Sequence, residues 1–316
     1  MKQLTTITRG NTLASGLPVF WHLLRTMRPR QWIKNAFVFT ALVFSEQRLW
    51  TQPDKVLLTL GAFVIFCMAA SSIYLINDLV DIERDRAHPK KCRRPLASGK
   101  LSPLVAALAA VLLIGTALPG AYLLDPDFGF LTVVVSYIVI QGLLYTYLLK
   151  QVVILDIMVI AAGFVLRAVA GVVVLDINIT PWLLVCMGLL ALFLGIGKRR
   201  HELVLLENGA GEHRRILEEY SVPMLDQMMS IVTASIIMAY SMTTFSAPVA
   251  PKDPYPVLIF TIPFVVYGIF RYLYLIYRRG EGGAPEDLVL KDLPLASSIL
   301  LWGVTVLSLL FVFRNS

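Results

Sequence analysis

The chain has few charged residues and few cysteines. Charged side chains make up 16% of its 316 residues and hydrophobic ones 57%, a balance that excludes an ordinary soluble or disordered protein. The three cysteines, Cys67, Cys92 and Cys186, lie far apart in the sequence. We therefore expect neither a disulfide framework nor a cysteine metal site, and the composition is typical of an integral membrane protein.

Long apolar segments separated by polar blocks indicate repeated membrane crossings. Eight segments have about the ~20 residues that a bilayer core requires: residues 56–77, 104–124, 128–149, 152–175, 181–197, 229–247, 256–277 and 295–313. We interpret the shorter segment Pro29–Phe44 as a further span before them. The sequence thus predicts one all-α, polytopic membrane domain over residues 1–316 with nine transmembrane helices, preceded by an N-terminal cytoplasmic or interfacial segment at residues 1–27.

Basic residues predict the orientation of the chain. Of the 28 lysines and arginines, 22 fall in the N-terminal segment and in alternate loops, and four fall on the other side. Because cytoplasmic loops carry the excess of Lys and Arg, we expect a multi-pass protein of the cell (inner) membrane with a cytoplasmic N-terminus and the C-terminus on the opposite side. Two predicted cytoplasmic loops, residues 78–103 and 198–228, are long enough to carry a site.

An acidic motif follows the second predicted span. On a helix Asp78, Asp81 and Asp85 share one face with Asn77 at its edge, while Glu83 points away. Three stacked carboxylates repel one another, and oxygen ligands without His or Cys favour a hard cation such as Mg²⁺ together with substrate phosphates. The alternative is a solvated helix end that neighbouring basic residues neutralise.

Basic residues in the following loop fit this interpretation. Lys90, Arg93 and Arg94 lie among prolines and a glycine in residues 88–99, which suits the binding of phosphate oxygens. The alternative is that these basic residues only keep the loop on the cytoplasmic side of the membrane, because such residues would give the same sequence pattern.

Two ionisable residues lie within the fifth predicted span. Asp156 and Arg167 are about three helical turns apart and lie on nearly the same face. Such residues face a bundle interior or a water-filled cavity and indicate a functional site, although structural pairing with other helices is the alternative. Lys150 precedes them in the sequence. Tyr145 and Tyr147 lie just before Lys150, and which of the two contributes to the site is open.

Several strings resemble the UbiA prenyltransferase superfamily, and within it the decaprenyl-phosphate phosphoribosyltransferase (DPPR synthase) branch. They are the aspartate motif, the strings Arg28–Asn35 and His88–Gly99, and residues 149–167. The superfamily's prenyl-diphosphate-using members have a second acidic motif that this chain lacks. The corresponding residues 197–203 contain Lys198, Arg199 and Arg200 and a single carboxylate, an arrangement that suits a monophosphate.

The resemblance implies a UbiA-like bundle with a cytoplasmic-facing active site. Its reaction would be Mg²⁺-dependent transfer of 5-phosphoribose from phosphoribosyl pyrophosphate to a polyprenyl phosphate. We expect catalytic roles for Asp78, Asp81, Asp85, Asp156 and Lys150, with the first three as metal ligands. Asp156 would orient a ribose hydroxyl or join the metal shell. Expected substrate-binding residues are Lys34, Asn35, Asn77, Lys90, Arg93, Arg94, Tyr145, Arg167 and Lys198.

Two other functions remain open at this point. One is a prenyltransferase that moves a polyprenyl chain from its diphosphate to an aromatic acceptor, against which the missing second acidic motif argues. The other is a transporter or lipid-binding protein, which would carry polar residues at several midplane depths. The polar residues here gather at one face, which favours an enzyme open to the cytoplasm. We expect the membrane and the two substrates as partners, and no nucleic acid.

Overall fold

The computed structural model describes residues 16–45, 47–88, 91–207, 215–247, 249, 255–283 and 285–313. All regular structure in these ranges is helical. The α-helices are α1 Gly16–Met27, α2 Thr40–Phe44, α3 Pro53–Val80, α4 Ile82–Ala87, α5 Pro103–Leu124, α6 Gly129–Tyr137, α7 Tyr145–Tyr147, α8 Leu155–Leu175, α9 Pro181–Glu207, α10 Val222–Ser246, α11 Ile262–Arg279, α12 Pro285–Lys291 and α13 Leu293–Val312. A π-helical turn at Ile138–Leu144 joins α6 to α7.

Within the described residues, eight helical segments are long and apolar enough to cross a membrane. They are Pro53–Val80, Pro103–Leu124, Gly129–Tyr147, Leu155–Leu175, Pro181–Leu206, Val222–Ser246, Val257–Arg279 and Leu293–Val312. Each overlaps one of the eight long segments predicted from the sequence, so the all-α polytopic prediction is confirmed.

The ninth predicted span has a different form. Residues Pro29–Phe39 form a 3₁₀ helix that runs directly into α2, with right-handed helical dihedrals at Phe39 and Thr40. A 3₁₀ helix is stretched along its axis, with a larger rise per residue than an α-helix. The segment therefore extends farther than an α-helix with the same number of residues would, and most of it is 3₁₀ rather than α-helical.

The two predicted cytoplasmic loops are shorter than expected because the helices beside them continue. α3 extends to Val80, and α4 occupies part of the first loop. α9 continues to Glu207 and α10 begins at Val222. Much of the predicted second loop is therefore helical, and its residues 208–214 lie outside the described residues.

Two hydrophobic clusters hold the bundle together. One joins α3, α6 and α8 to the 3₁₀ helix and contains Phe66 and Phe130. The other joins α9, α10 and α11 around Phe193 and Tyr272. Gly171 of α8 permits close packing of the 3₁₀ helix, because a Cβ there would overlap the carbonyl oxygen of Val38. This contact brings the residues before α2 close to α8.

Candidate active site

Asp78 lies in the last turn of α3 and is held by two arginines. Its side chain is only 4% exposed, and its Oδ1 accepts hydrogen bonds from Arg28 Nη2 at 2.6 Å and from Arg94 Nη1 at 3.2 Å. Arg94 Nη1 also donates to Asp85 Oδ2 at 2.7 Å. One guanidinium thus bridges two of the three motif aspartates, which reduces their mutual repulsion.

Asp81 lies at the junction between α3 and α4, where the helical dihedrals are interrupted. It faces Arg84 at 3.5 Å and Lys150 Nζ at 3.8 Å. Its Oδ1 is buried and accepts no hydrogen bond from the described residues. Glu83 is 83% exposed on its side chain, in agreement with the prediction that it points away.

The three aspartates do not form the preassembled ligand set that a continuous helix would give. Among the described residues, no three His, Cys, Asp or Glu side chains are placed so that they could hold one metal ion. The physical reason is the break at Asp81, together with the position of Arg94 between the carboxylates of Asp78 and Asp85. Their role as metal ligands therefore stays a prediction.

The predicted basic residues have different environments. Arg94 lies at the aspartates, whereas Arg93 and Lys198 are exposed, and Lys34 is half-buried on the 3₁₀ helix. Lys90 lies outside the described residues. The structure thus brings one cation of the first loop into the site and leaves its neighbour Arg93 at the surface.

Arg28 is a site residue that sequence reasoning missed. It precedes the 3₁₀ helix with a left-handed backbone conformation, φ 55°, which is uncommon for a residue other than glycine. Its guanidinium lies over the ring of Tyr74, 4.8 Å from the centroid, and reaches Asp78. The arginine–proline pair at Arg28 and Pro29 was the available signal, because it marks the start of a helix.

The segment after α7 supplies the other side of the site. Thr146 Oγ1 donates to Asn77 Oδ1 at 2.5 Å, and Lys150 lies in a short 3₁₀ turn opposite Asp81. Tyr145 is half-buried and close enough to Arg199 for an electrostatic interaction, whereas Tyr147 is 53% exposed. Tyr145 is thus the tyrosine that faces the protein interior.

Asp156 is completely buried and both its oxygens are used. Oδ2 accepts from Arg199 Nε at 2.8 Å, and Oδ1 accepts from Tyr220 Oη at 2.6 Å. Arg199 also donates to Glu202 at 2.6 Å. These partners hold Asp156 between Arg199 and Tyr220, and its role toward a ribose hydroxyl or a metal ion stays a prediction.

Tyr220 ties the second loop to the start of α8. Its Oη accepts from the backbone N–H of Ile154 at 2.7 Å while donating to Asp156. Burial and the hydrogen bond to Asp156 raise the pKa of Tyr220 above its ordinary value. Ile154 has φ 69°, a strained conformation for a β-branched residue that surrounding contacts must hold.

Arg167 and Asn35 form a separate network deep in the bundle. Arg167 donates to Asn35 Oδ1, to the carbonyl of Gly163 and to Tyr137 Oη, each at 2.7 Å. Asn35 in turn donates to Cys67 Sγ at 3.2 Å. These contacts fasten the 3₁₀ helix to α8, so the two residues predicted to bind substrate are placed where they hold the helices together.

The basic run at the end of α9 is mostly paired. Arg199 is buried against Asp156 and Glu202, and Arg200 Nε donates to Asp226 Oδ1 at 2.6 Å. The single carboxylate of this run, Glu202, is a partner of Arg199. The arrangement supplies no second acidic cluster opposite the first within the described residues.

The neighbouring ends of α3, α4 and the 3₁₀ segments that carry Arg28 and Lys150 thus bring acidic and basic groups together. Carboxylates of this kind suit a divalent cation, and guanidinium and ammonium groups suit phosphate oxygens. Both kinds of group that a metal–phosphate unit requires are therefore close together here, although the carboxylates are paired with arginines.

Comparison with known proteins identifies the family. The sequence model of the UbiA prenyltransferase family matches residues 35–286. The chain is 36% identical over 293 residues to a decaprenyl-phosphate phosphoribosyltransferase of Mycolicibacterium smegmatis, covering 90% of this chain and 91% of that protein. It belongs to the UbiA prenyltransferase family. A protein of the same name from Corynebacterium glutamicum is 32% identical, covering 92% of this chain and 87% of the relative.

A solved structure shares the fold of this UbiA-family chain. A UbiA homolog from Archaeoglobus fulgidus bound to DMAPP and Mg²⁺ aligns with a TM-score of 0.66 at 16% identity, over 92% of this chain and 99% of the homolog. The likeness confirms the UbiA-like bundle that the sequence predicted, and the chain is a multi-pass membrane protein of this family.

Proposed function

We propose that this UbiA-family protein transfers 5-phosphoribose from phosphoribosyl pyrophosphate to a polyprenyl phosphate of the decaprenyl type and releases pyrophosphate. The relatives from M. smegmatis and C. glutamicum, both named decaprenyl-phosphate phosphoribosyltransferase, match over about nine tenths of the chain. The observation that carries the proposal is the single acidic cluster. Where prenyl-diphosphate enzymes have a second one, Arg199 and Arg200 are bound in ion pairs.

The site residues fit a divalent cation, which we propose is Mg²⁺. Magnesium uses one or two carboxylates together with waters and substrate phosphates, and Asp81 Oδ1 is a buried oxygen that accepts no hydrogen bond from the described residues. Asp78, Asp81 and Asp85 would hold the ion with support from Asn77. A bound Mg²⁺ would neutralise the charge that develops on the pyrophosphate leaving group.

The chain's own residues hold two anions that repel each other. Arg28, Arg94 and Lys150 lie at the aspartates and lower this repulsion. Lys34, Arg93 and Lys198 are farther candidates on the same predicted face. The bond between C1 of ribose and the pyrophosphate oxygen breaks, and pyrophosphate leaves with the electron pair. A lipid phosphate oxygen forms the new bond to C1. This nucleophile is already anionic at neutral pH, so no general base is required. The task of the protein is to hold the two anions in line for the reaction.

The site would open to the cytoplasm. The excess of basic residues in the loops on the side of the aspartate motif supports this orientation by the positive-inside rule, with the N-terminus on the same side and the C-terminus opposite. Grooves between the helices would hold the isoprenoid chain within the bilayer.

The test is a transfer assay with purified protein in detergent or nanodiscs. Phosphoribosyl pyrophosphate labelled in the ribose, decaprenyl phosphate and Mg²⁺ should give labelled lipid, and chelation of the metal should abolish it. A parallel reaction with prenyl diphosphate and 4-hydroxybenzoate tests the alternative of prenyl transfer to an aromatic acceptor. Prenylated product without labelled phosphoribosyl lipid would replace the proposal by that alternative.

A further inference from the structure

The aspartate cluster is neutralised by the protein's own arginines. Arg28 and Arg94 both donate to Asp78 Oδ1, and Arg94 also donates to Asp85 Oδ2. A metal ion that binds Asp78 Oδ1 or Asp85 Oδ2 at about 2.0–2.1 Å, as is typical of magnesium, must displace these hydrogen bonds. One that binds the other oxygen of either carboxylate still meets the repulsion of the two guanidiniums. Arginine and metal therefore compete for this cluster.

Both arginines are placed so that they can move. Their side chains are 33% and 31% exposed, in contrast to Arg199, which is 4% exposed and enclosed by two carboxylates. The planar fork of a guanidinium binds phosphate oxygens as well as it binds carboxylates. Arg28 also lies over the ring of Tyr74, a contact made by the charge of the guanidinium and not by an N–H hydrogen bond.

Asp81 differs from its two neighbours. Its pairs with Arg84 and Lys150 are long, at 3.5 and 3.8 Å, and its buried Oδ1 accepts no hydrogen bond from the described residues. Asp81 is thus the most weakly paired of the three motif carboxylates, because Asp78 Oδ1 and Asp85 Oδ2 accept hydrogen bonds from arginines at 2.6 and 2.7 Å. A single carboxylate binds a divalent ion weakly, and firm binding needs further oxygens.

We infer that Arg28 and Arg94 are exchangeable counter-ions of the aspartate cluster. They cover Asp78 and Asp85 before substrate binds, and they turn to the phosphate oxygens when a divalent cation arrives together with a pyrophosphate-bearing donor. The metal alone therefore binds weakly, and metal and pyrophosphate strengthen each other's binding. The inference rests on the proposed function for the identity of the donor, but the exchange itself requires only a metal ion and a pyrophosphate group.

The experiment measures Mn²⁺ binding to the full-length protein in nanodiscs by electron paramagnetic resonance, with and without inorganic pyrophosphate. In the unaltered protein, pyrophosphate should tighten Mn²⁺ binding. In Arg28→Ala and Arg94→Ala, Mn²⁺ alone should bind about tenfold more tightly, because a competing charge is gone from a partly exposed cluster. The factor by which pyrophosphate raises the affinity for Mn²⁺ should fall by about tenfold in these variants, because a charged hydrogen-bond donor to phosphate is lost.

The exchange predicts that the affinity for Mn²⁺ alone rises while the gain in affinity caused by pyrophosphate falls. A purely structural role of the arginines predicts that both quantities fall. Lys100→Ala removes the same charge from an exposed position of the same loop and should leave both unchanged. Arg28→Lys and Arg94→Lys keep the charge without the fork and provide intermediate variants should the alanine forms fail to fold. Folded variants that bind Mn²⁺ alone no more tightly than the unaltered protein would overturn the inference.

The outcome is separable from that of the proposed function. The binding experiment contains no ribose donor and no lipid, so an enzyme that uses another diphosphate would still show the exchange. A protein that transfers phosphoribose but shows no gain in Mn²⁺ binding in either arginine variant would keep the proposed function and lose the exchange.

Discussion

Two clusters of aspartate and arginine lie in different surroundings in this protein. In the first, Asp78 and Asp85 meet Arg28 and Arg94, whose side chains are about one third exposed. In the second, Asp156 meets Arg199 with both side chains almost fully buried. The same charge pairing is therefore exchangeable where water reaches the guanidiniums and fixed where it does not. Substitutions should affect chemistry at the first cluster and stability at the second.

The largest effect is expected from substitution at the first cluster. Asp78→Asn and Asp81→Asn should each lower kcat/KM for phosphoribosyl transfer by about 10³-fold or more, since they remove charge that would hold the metal and leaving group. Melting temperatures in detergent should change little, because the arginines left behind are partly solvated. Unchanged turnover and metal dependence in a well-folded double variant would contradict the assignment of the site.

Substitution at the second cluster should lower the free energy of unfolding of the protein. Asp156→Ala leaves Arg199 buried without one of its carboxylate partners, and loss of about 3–5 kcal/mol is expected for breaking such a pair. The measurement is unfolding of the purified protein, with Asp226→Ala as the matched control. Asp226 pairs with Arg200 near the surface, where exposed pairs contribute about 1 kcal/mol or less. Equal destabilisation by both variants would remove the distinction between buried and exposed pairs.

A smaller effect is expected where the two clusters are connected. Tyr220→Phe removes the hydroxyl that joins Asp156 to the N–H of Ile154, at a cost of about 1–3 kcal/mol for the unsatisfied groups. Because Ile154 lies between the 3₁₀ turn that carries Lys150 and the start of α8, kcat should also fall severalfold. Tyr147→Phe, at an exposed position, serves as the control. A Tyr220→Phe protein with normal stability and normal kcat would show that this link is dispensable.

The smallest effect concerns an ion pair remote from both clusters. Hydrogen bonds from Arg271 and from the N–H of Leu295 hold the pKa of Asp292 below its usual value. The unfolded chain therefore binds the proton first as the pH falls. Stability from this carboxylate is present above its unfolded pKa of about 3.9 and is lost as the pH falls through the lower folded value. This contribution is measured by comparing the pH dependence of the free energy of unfolding in Asp292→Asn and in the unaltered protein. An identical loss of stability at acid pH in the two proteins would contradict the pairing.

Much of the fold followed from hydropathy alone. Apolar length predicted the eight long spans, because a bilayer core sets the length of a helix. It did not predict that most of the short segment Pro29–Phe44 takes the stretched 3₁₀ conformation. It also did not predict that α9 continues past its apolar part to Glu207, into the predicted second loop.

The candidate site was predicted unevenly. Helical periodicity placed the aspartates together and turned Glu83 outward, but it could not anticipate the break at Asp81. Arg28 and Tyr220 are distant in sequence from the groups that they bind, so periodicity gave no signal for either. Asp156 and Arg167 are buried, as their positions within a span predicted, but nothing in the sequence indicated the residues to which they are hydrogen-bonded.

Hydrophobic composition and charge asymmetry by themselves determined that this chain is a membrane-embedded bundle with an acidic motif at one face. Both properties depend only on the order of residues along the chain, so they are the same in every conformation. Only the tertiary structure decided which cation meets which carboxylate. That choice depends on where separate helices end relative to one another, and the packing of the 3₁₀ helix against α8 and of α9 against α10 fixes those positions.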